Sequence, residues 1–370
     1  MNYATTLDTG IINTRNVGRY IYGPGKLSEL KKILFEKRRN GSGEVVFFMD
    51  SFFKKNGLPK NLDAIESQDI NMYVDATNEP TTTYVNEILE LLVGRSIKEP
   101  SAIVGIGGGS TMDVAKAVAN LLTNPGQAED FQGWDLVKNQ AIYKIGIPTI
   151  SGTGAESTRT CVMINPANGL KLGMNSDYTV YDQVILDPDL TATVSRDQYF
   201  WTGMDAYIHC IESLAGHYRN EIGDAFSRQT LVLCREVFLS DDMQSPQNRE
   251  KLMVASYLGG CAIGASYVGV VHPFSAGLSV VLGTHHCVAN CITMRAMEEF
   301  YPEAYKEFWT MVNQQQVQIP EGLCRNLNED QYGKLYDSTL IHDKPLTNAL
   351  GMEFKEVLTP QIVKETFEKM

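Results

Sequence analysis

Apolar and polar positions fall into two regimes along the chain, changing near residue 190. In the first, short unbroken apolar runs recur at 44–49 (EVVFFM), 70–74 (INMYV, the weakest), 101–106 (SAIVGI) and 145–149 (IGIPT). Runs of this length, rich in β-branched and aromatic side chains, predict strands. Between them, 82–92 places apolar residues at helical spacing and 112–122 is rich in Ala and Val, so both are predicted helices. Strand alternating with helix predicts an α/β unit around a parallel sheet, with ligands bound beyond the carboxyl ends of its strands. From 187–191 (DPDLT) onward the strand signals fade, and 197–217, 221–239, 248–266, 299–313 and 361–369 read as helices. The expected organisation is an α/β dinucleotide-binding domain at 1–190 and an all-α domain at 191–370. A polar loop is expected at 240–246, while 327–351 carries no readable pattern. No internal repeat or low-complexity tract interrupts the chain.

Composition narrows the class. A length of 370 residues implies two cores rather than one, and 43% hydrophobic with 21% charged residues is an ordinary soluble balance. No run nears the roughly 18 apolar residues of a membrane span. The N-terminal arm MNYATTLDTGIINTRN is polar, with no apolar signal core, so a cytoplasmic location is expected. A net charge of −12 without a basic cluster argues against nucleic acid or an anionic membrane as partner. Seven cysteines at wide spacings, with no CxxC pair, read as reduced and mostly buried thiols.

Two glycine turns follow predicted strands. The first, Gly107-Gly108-Gly109-Ser110, leads from a strand into a helix start. Glycines let the backbone approach a pyrophosphate, and a helix N-terminus offers free N–H groups and a positive dipole end. The run is neither GxGxxG nor a P-loop, and a tight turn capped by Ser110 explains it as well. The second turn, 149–156 (TISGTGAE), brings hydroxyls that a nucleotide would accept. Asp50 ends the first predicted strand. A carboxylate there would bond an adenosine ribose and repel a 2′-phosphate, favouring NAD over NADP; capping the next helix is the competing role.

The candidate metal chemistry lies in the second half. Asp205 and His209 are four apart, so a helix presents both on one face. Carboxylate plus imidazole is half of a site for a borderline divalent cation. Five of the six histidines fall between 209 and 286, including His272 in VVHPFS and the pair His285-His286 in GTHHCVAN. His217 receives no role.

Taken together, GGGSTMDVAKA (107–117), PTISGTGAE (148–156), ILDPDL (185–190), GMDAYIHCIES (203–213), the HP…THHCVAN segment (272–290) and Tyr22-Gly23-Pro24-Gly25 resemble the iron-containing, or group III, alcohol dehydrogenases. The resemblance runs in order from about 17 to 300. It implies the dehydroquinate synthase-like fold, with an α/β nucleotide domain, a helical domain and a metal in the cleft between. It assigns Fe²⁺ or Zn²⁺ to Asp205, His209, His272 and His286. It assigns nucleotide contacts to Asp50, Gly107, Gly108, Gly109, Ser110, Asp113, Thr149 and Thr153, with Lys171 near the cofactor. It also implies at least a homodimer. His285 is an alternative ligand by register, or a proton relay beside His286.

Many family members carry a further histidine four residues after the third ligand; this chain has Ala276 there. Proton transfer then falls to water, to the nicotinamide ribose or to His285. The VVHPFSAGLS…GTHHCVAN wording resembles the branch that oxidises the terminal (C8) hydroxyl of 3-deoxy-octulosonate, an acidic sugar of lipopolysaccharide synthesis. The expected activity is metal-dependent hydride transfer between a primary alcohol, or its aldehyde, and the nicotinamide. The alternatives are a simple alcohol or lactaldehyde dehydrogenase, a dehydroquinate synthase-type lyase, a non-catalytic NAD or metal sensor, and an oxygen-reoxidised variant. Tyr207, Tyr267 and Phe274 suit either a pocket or a core.

Overall fold

The computed structural model describes residues 14–59 and 62–370. Most of the polar N-terminal arm therefore lies outside the described residues. The described chain divides into two compact units, Thr14–Thr193 and Val194–Met370. No helix among the described residues is long and apolar enough to cross a membrane.

The first unit carries strands β1 (Arg19–Tyr22), β2 (Val45–Asp50), β3 (Ile70–Val74), β4 (Ala102–Gly107), β5 (Gly133–Trp134), β6 (Lys144–Pro148), β7 (Thr160–Asn165), β8 (Leu170–Asn175) and β9 (Gln183–Leu186). Its helices are α1 (Leu30–Arg39), α2 (Ser51–Asn56), α3 (Thr82–Gly94) and α4 (Gly109–Leu121). Six strands form a parallel sheet in the order β1-β9-β6-β4-β2-β3. β4, β6 and β9 are buried along their whole length, and β2 up to Asp50. A parallel sheet covered on both faces needs such unbroken apolar strands. At one edge, β1 leaves Arg19, Tyr20 and Tyr22 exposed. The Tyr-Gly-Pro-Gly turn after β1 is held by buried Asp187, whose carboxylate accepts N–H bonds from Gly25 (3.1 Å) and Leu27 (2.9 Å). β7 and β8 pair antiparallel and, with β5, form a second small sheet.

Chain order places β3 on one side of β2 and β4 on the other, so the winding reverses between β2 and β4. The carboxyl ends flanking that reversal are Asp50 and Gly107. Open parallel sheets bind ligands at this kind of point.

One buried lysine in this sheet is only partly compensated by its ion pair. Lys144 is 1% exposed, and burial pushes its ammonium down to about 8 against the pull of Asp182, 3.4 Å away. A lysine whose pKa drops on folding binds its proton more tightly when unfolded. Stability therefore rises with pH between about 8 and 10.5, and the penalty below pH 8 is about 3 kcal/mol. Asp182 keeps Arg15 (2.7 Å) and the Lys144 backbone N–H (2.9 Å) without the ammonium. Lys144→Met is expected to stabilise the protein by about 1–3 kcal/mol at pH 7, the gain shrinking toward pH 10.5. Urea denaturation at both pH values checks this; a loss of stability at pH 7 would mean that the pair stabilises the sheet.

The second unit is helical: α5 (Arg196–Ala215), α6 (Glu221–Phe238), α7 (Pro246–Ala265), α8 (Val271–Leu282), α9 (His286–Thr293), α10 (Pro302–Gln315), α11 (Glu329–Leu340), α12 (Asp343–Leu350), α13 (Phe354–Val357) and α14 (Pro360–Glu368). α5 packs against α6, α7 and α9, and every residue from Thr202 to Ser213 is buried. Close approach is built in: a Cβ on Gly203 would lie 2.5 Å from the Phe238 ring and 2.9 Å from Leu252. A helix buried all round ordinarily carries apolar residues on every face, because an unpaired buried polar group is costly. α5 breaks that rule on one stripe, at Asp205, His209 and Glu212.

Candidate active site

Asp205, His209 and Glu212 follow the i, i+4, i+7 stripe of α5, so their side chains share a face. His272 stands in the first turn of α8 and His286 opens α9. All three imidazoles turn Nε2 toward the Asp205 carboxylate. His209 and His272 approach Oδ1 at 3.4 and 3.3 Å, and His286 approaches Oδ2 at 3.8 Å. Donor atoms of Asp205, His272 and His286 lie within 4.8 Å of one another. The His209 and His272 rings stack 4.7 Å apart. Asn290, one turn along α9, donates its amide to Asp205 Oδ1 at 2.6 Å, and the same nitrogen sits 3.4 and 3.5 Å from Nε2 of His286 and His272. The Cys287 thiol donates to Asp205 Oδ2 at 3.8 Å.

Burial alone would neutralise Asp205, yet His209, His286 and His272 hold its carboxyl well below the usual carboxylate range. Burial lowers His209 to about 4 despite Asp205. Burial also opposes charge on His272, but Glu212 and Asp205 outweigh it and lift the imidazole to about 9. The close donor cluster of Asp205, His272 and His286, with His209 beside the same carboxylate, fits a divalent transition metal.

Glu212 went unassigned in the sequence, although it lies within the GMDAYIHCIES motif. The signal available was its position, seven residues after Asp205 on the same helix face. His285 is exposed at the N-cap of α9, outside the donor cluster, and the geometry brings in His286 instead. Ala276 is buried in α8. Tyr207, Tyr267 and Phe274 are core residues: the Tyr207 hydroxyl donates to Glu307 (2.7 Å) and Phe274 packs on Phe367. All seven cysteines are buried thiols.

In the first unit, the two glycine turns meet. Thr149 N–H donates to Gly107 O at 3.1 Å, a Cβ on Gly108 would lie 2.6 Å from Ile150, and one on Gly109 would touch Thr153 at 3.4 Å. α4 starts with Gly108 as its N-cap and no side-chain cap, so Ser110 is not the cap but a residue of the first turn. The Thr111 and Ser151 hydroxyls are buried without a partner among the described residues. A cradle that a Cβ would fill, opening onto an uncapped helix start, fits a pyrophosphate.

Three other expected contacts have structural work instead of, or besides, a nucleotide. Asp50 caps α2 by accepting Phe52 N–H at 2.8 Å; burial and nearby Asp75 raise its carboxyl against that bond. Asp113 accepts Val162 N–H at 3.0 Å, tying α4 to β7, and burial pushes it up to about 6. Lys171, expected near the cofactor, is buried in an ion pair with Glu79 at 2.9 Å.

Comparison with known proteins follows the same division. Residues 18–188 match the family described as iron-containing alcohol dehydrogenase, and residues 200–334 match the C-terminal part of the Fe-containing alcohol dehydrogenase family. The sulfoacetaldehyde reductase of Bilophila wadsworthia is 31% identical over 281 residues, 74% of this chain and 70% of that one. The NAD-dependent methanol dehydrogenase of Bacillus methanolicus is 27% identical over 282 residues, 74% of this chain and 72% of that one. The solved structure of a 1,3-propanediol oxidoreductase superposes with a TM-score of 0.82 at 20% identity, covering 96% of this chain and 98% of that one. The chain belongs to the iron-containing alcohol dehydrogenase family and is an oxidoreductase of alcohols and aldehydes. The lyase and sensor readings are thereby set aside.

Proposed function

We propose that this chain oxidises a primary alcohol, or reduces its aldehyde, with NAD and one divalent ion held by Asp205, His209, His272 and His286. The observation that carries the reading is the convergence of three Nε2 atoms on one buried carboxylate. NAD rests on the paired glycine turns at Gly107, Gly108, Gly109, Ser110, Thr149 and Thr153. Asp50 and Asp75 close the adjacent strands β2 and β3, and two carboxylates there disfavour the 2′-phosphate of NADP.

When bound, the ion supplies Lewis acidity toward the substrate oxygen, and the nicotinamide accepts or returns the hydride. The chain's own part is to hold the donors in place from three packed helices. α5 fixes two of them, while the starts of α8 and α9 fix one each. Ala276 has no proton to exchange, so the hydroxyl proton leaves through water or the ribose. His285→Gln is accordingly expected to leave the pH–rate profile unchanged; a displaced limb would return His285 to the proton route.

The finer reading is a terminal hydroxyl on an acidic sugar, 3-deoxy-octulosonate being the expected case. The small Ala276 and the wording around His272 and His286 support it; a simple aliphatic alcohol is the second reading. The test is metal analysis by mass spectrometry on anaerobically purified protein beside His272→Ala, followed by NADH formation with sugar acids and simple alcohols. About one iron or zinc per chain, lost in the variant, supports the site and names the ion. No metal after reconstitution removes it. Faster NADH formation with simple alcohols removes the acidic-sugar reading alone.

A further inference from the structure

The buried carboxylate of Glu212 has two occupied oxygens. Oε1 accepts the backbone N–H of Val271 at 2.6 Å, and Oε2 meets Nδ1 of His272. Glu212 is 0% exposed, so neither contact competes with bulk water. Val271 opens α8, where N–H groups have no partner inside the helix. One side chain of α5 therefore pins the start of α8 and the ring that this start carries.

Resting on the metal site proposed above, we propose that Glu212 is the positioning residue for His272. It accepts the hydrogen bond of His272 Nδ1–H, fixes the tautomer that leaves Nε2 to face Asp205 at 3.3 Å, and prevents the ring from flipping. An imidazole ligand is oriented by what its other nitrogen donates to, and a carboxylate partner also makes it more basic. The arrangement has a geometric economy: Asp205 and Glu212 stand on the same face of one buried helix, so donor and orienter keep a fixed separation. His209 Nδ1, by contrast, is buried without a hydrogen-bond partner among the described residues. Glu212 thus sets the orientation of His272 by charge.

The test pairs Zn²⁺ affinity with a direct view of the tautomer. Zn²⁺ is titrated into metal-free wild type and Glu212→Gln against a chromophoric chelator, and histidine-selective ¹⁵N NMR reports the protonated ring nitrogen in the Zn²⁺-loaded wild type. Gln keeps the shape and an acceptor for Val271 N–H. The expected result is about 10- to 100-fold weaker Zn²⁺ binding in Glu212→Gln at an unchanged fold by circular dichroism, with His272 protonated on Nδ1 in the wild type. Equal Zn²⁺ affinity in the two proteins, or His272 protonated on Nε2 in the wild type, overturns the role of Glu212 and leaves the metal site standing. Wild type that binds no Zn²⁺ removes the site itself and this inference with it. Should Glu212→Gln fail to fold, the wild-type NMR measurement decides alone.

Discussion

Asp205→Asn is expected to bind the ion more than about 100-fold more weakly and to turn over about a thousandfold more slowly. Among the described residues, Asp205 is the carboxylate that all three Nε2 atoms approach, and it is 1% exposed. Asparagine keeps the volume and an acceptor for the Asn290 amide, so the helical core has no reason to repack. What disappears is the single negative charge of the donor set, at a carboxylate position that is itself buried. Metal analysis and NADH formation on the purified variant give the answer, with circular dichroism separating lost chemistry from lost fold. A variant with full metal content and wild-type turnover would remove the assignment of the site.

Gly107→Ala is expected to weaken NAD binding by about 10- to 100-fold and to destabilise the protein by about 1–3 kcal/mol. The new Cβ would lie 2.7 Å from Thr111 Cβ and Oγ1, atoms at the root of a side chain in the first turn of α4. No rotamer change moves a Cβ, so the turn itself must shift, and with it the N–H groups proposed to face the pyrophosphate. The metal residues lie in the other unit, so metal content is expected to stay at the wild-type level. Isothermal titration with NAD reads the affinity; an unchanged value would place the pyrophosphate elsewhere.

How legible the fold was depends on burial. β2, β4 and β6 announced themselves because central parallel strands are apolar on both faces, and their predicted limits lie within a residue or so of those observed. β1 and β9 did not: each has four residues, and β1 is an exposed edge. The β7–β8 hairpin was missed because its alternation is interrupted by Lys171 and Gly173, although Asn168-Gly169 marks its turn. In 327–351, α11 and α12 bury Ser338, Thr339, Thr347 and Asn348 beside Tyr332, Leu335, Leu340 and Leu346, so the buried face does not read as an apolar stripe. α8 was hidden for another reason: it is buried continuously from Pro273 to Ser279, with Pro273 and Gly277 inside it, so no polar face alternates with an apolar one.

The candidate site divides likewise. Asp205 and His209 could be read from spacing because both sit on one helix. His272 and His286 come from other helices, and only the resemblance joined them to the pair. Glu212 was invisible as a partner because its contact, His272, is 60 residues away in sequence. Asp50 and Asp113 show that a residue type suited to a nucleotide can also carry structural work, capping α2 and tying α4 to β7.

The proposed donors come from three helices, α5, α8 and α9, all within one unit. An ion that binds only the folded arrangement adds its binding free energy to folding. Each tenfold rise in free metal above the dissociation constant contributes about 1.4 kcal/mol. The unit is then a thermodynamic gauge of the ion's availability. In metal-poor cells it would open more often and meet proteases sooner, so the amount of enzyme would track the supply of its own cofactor.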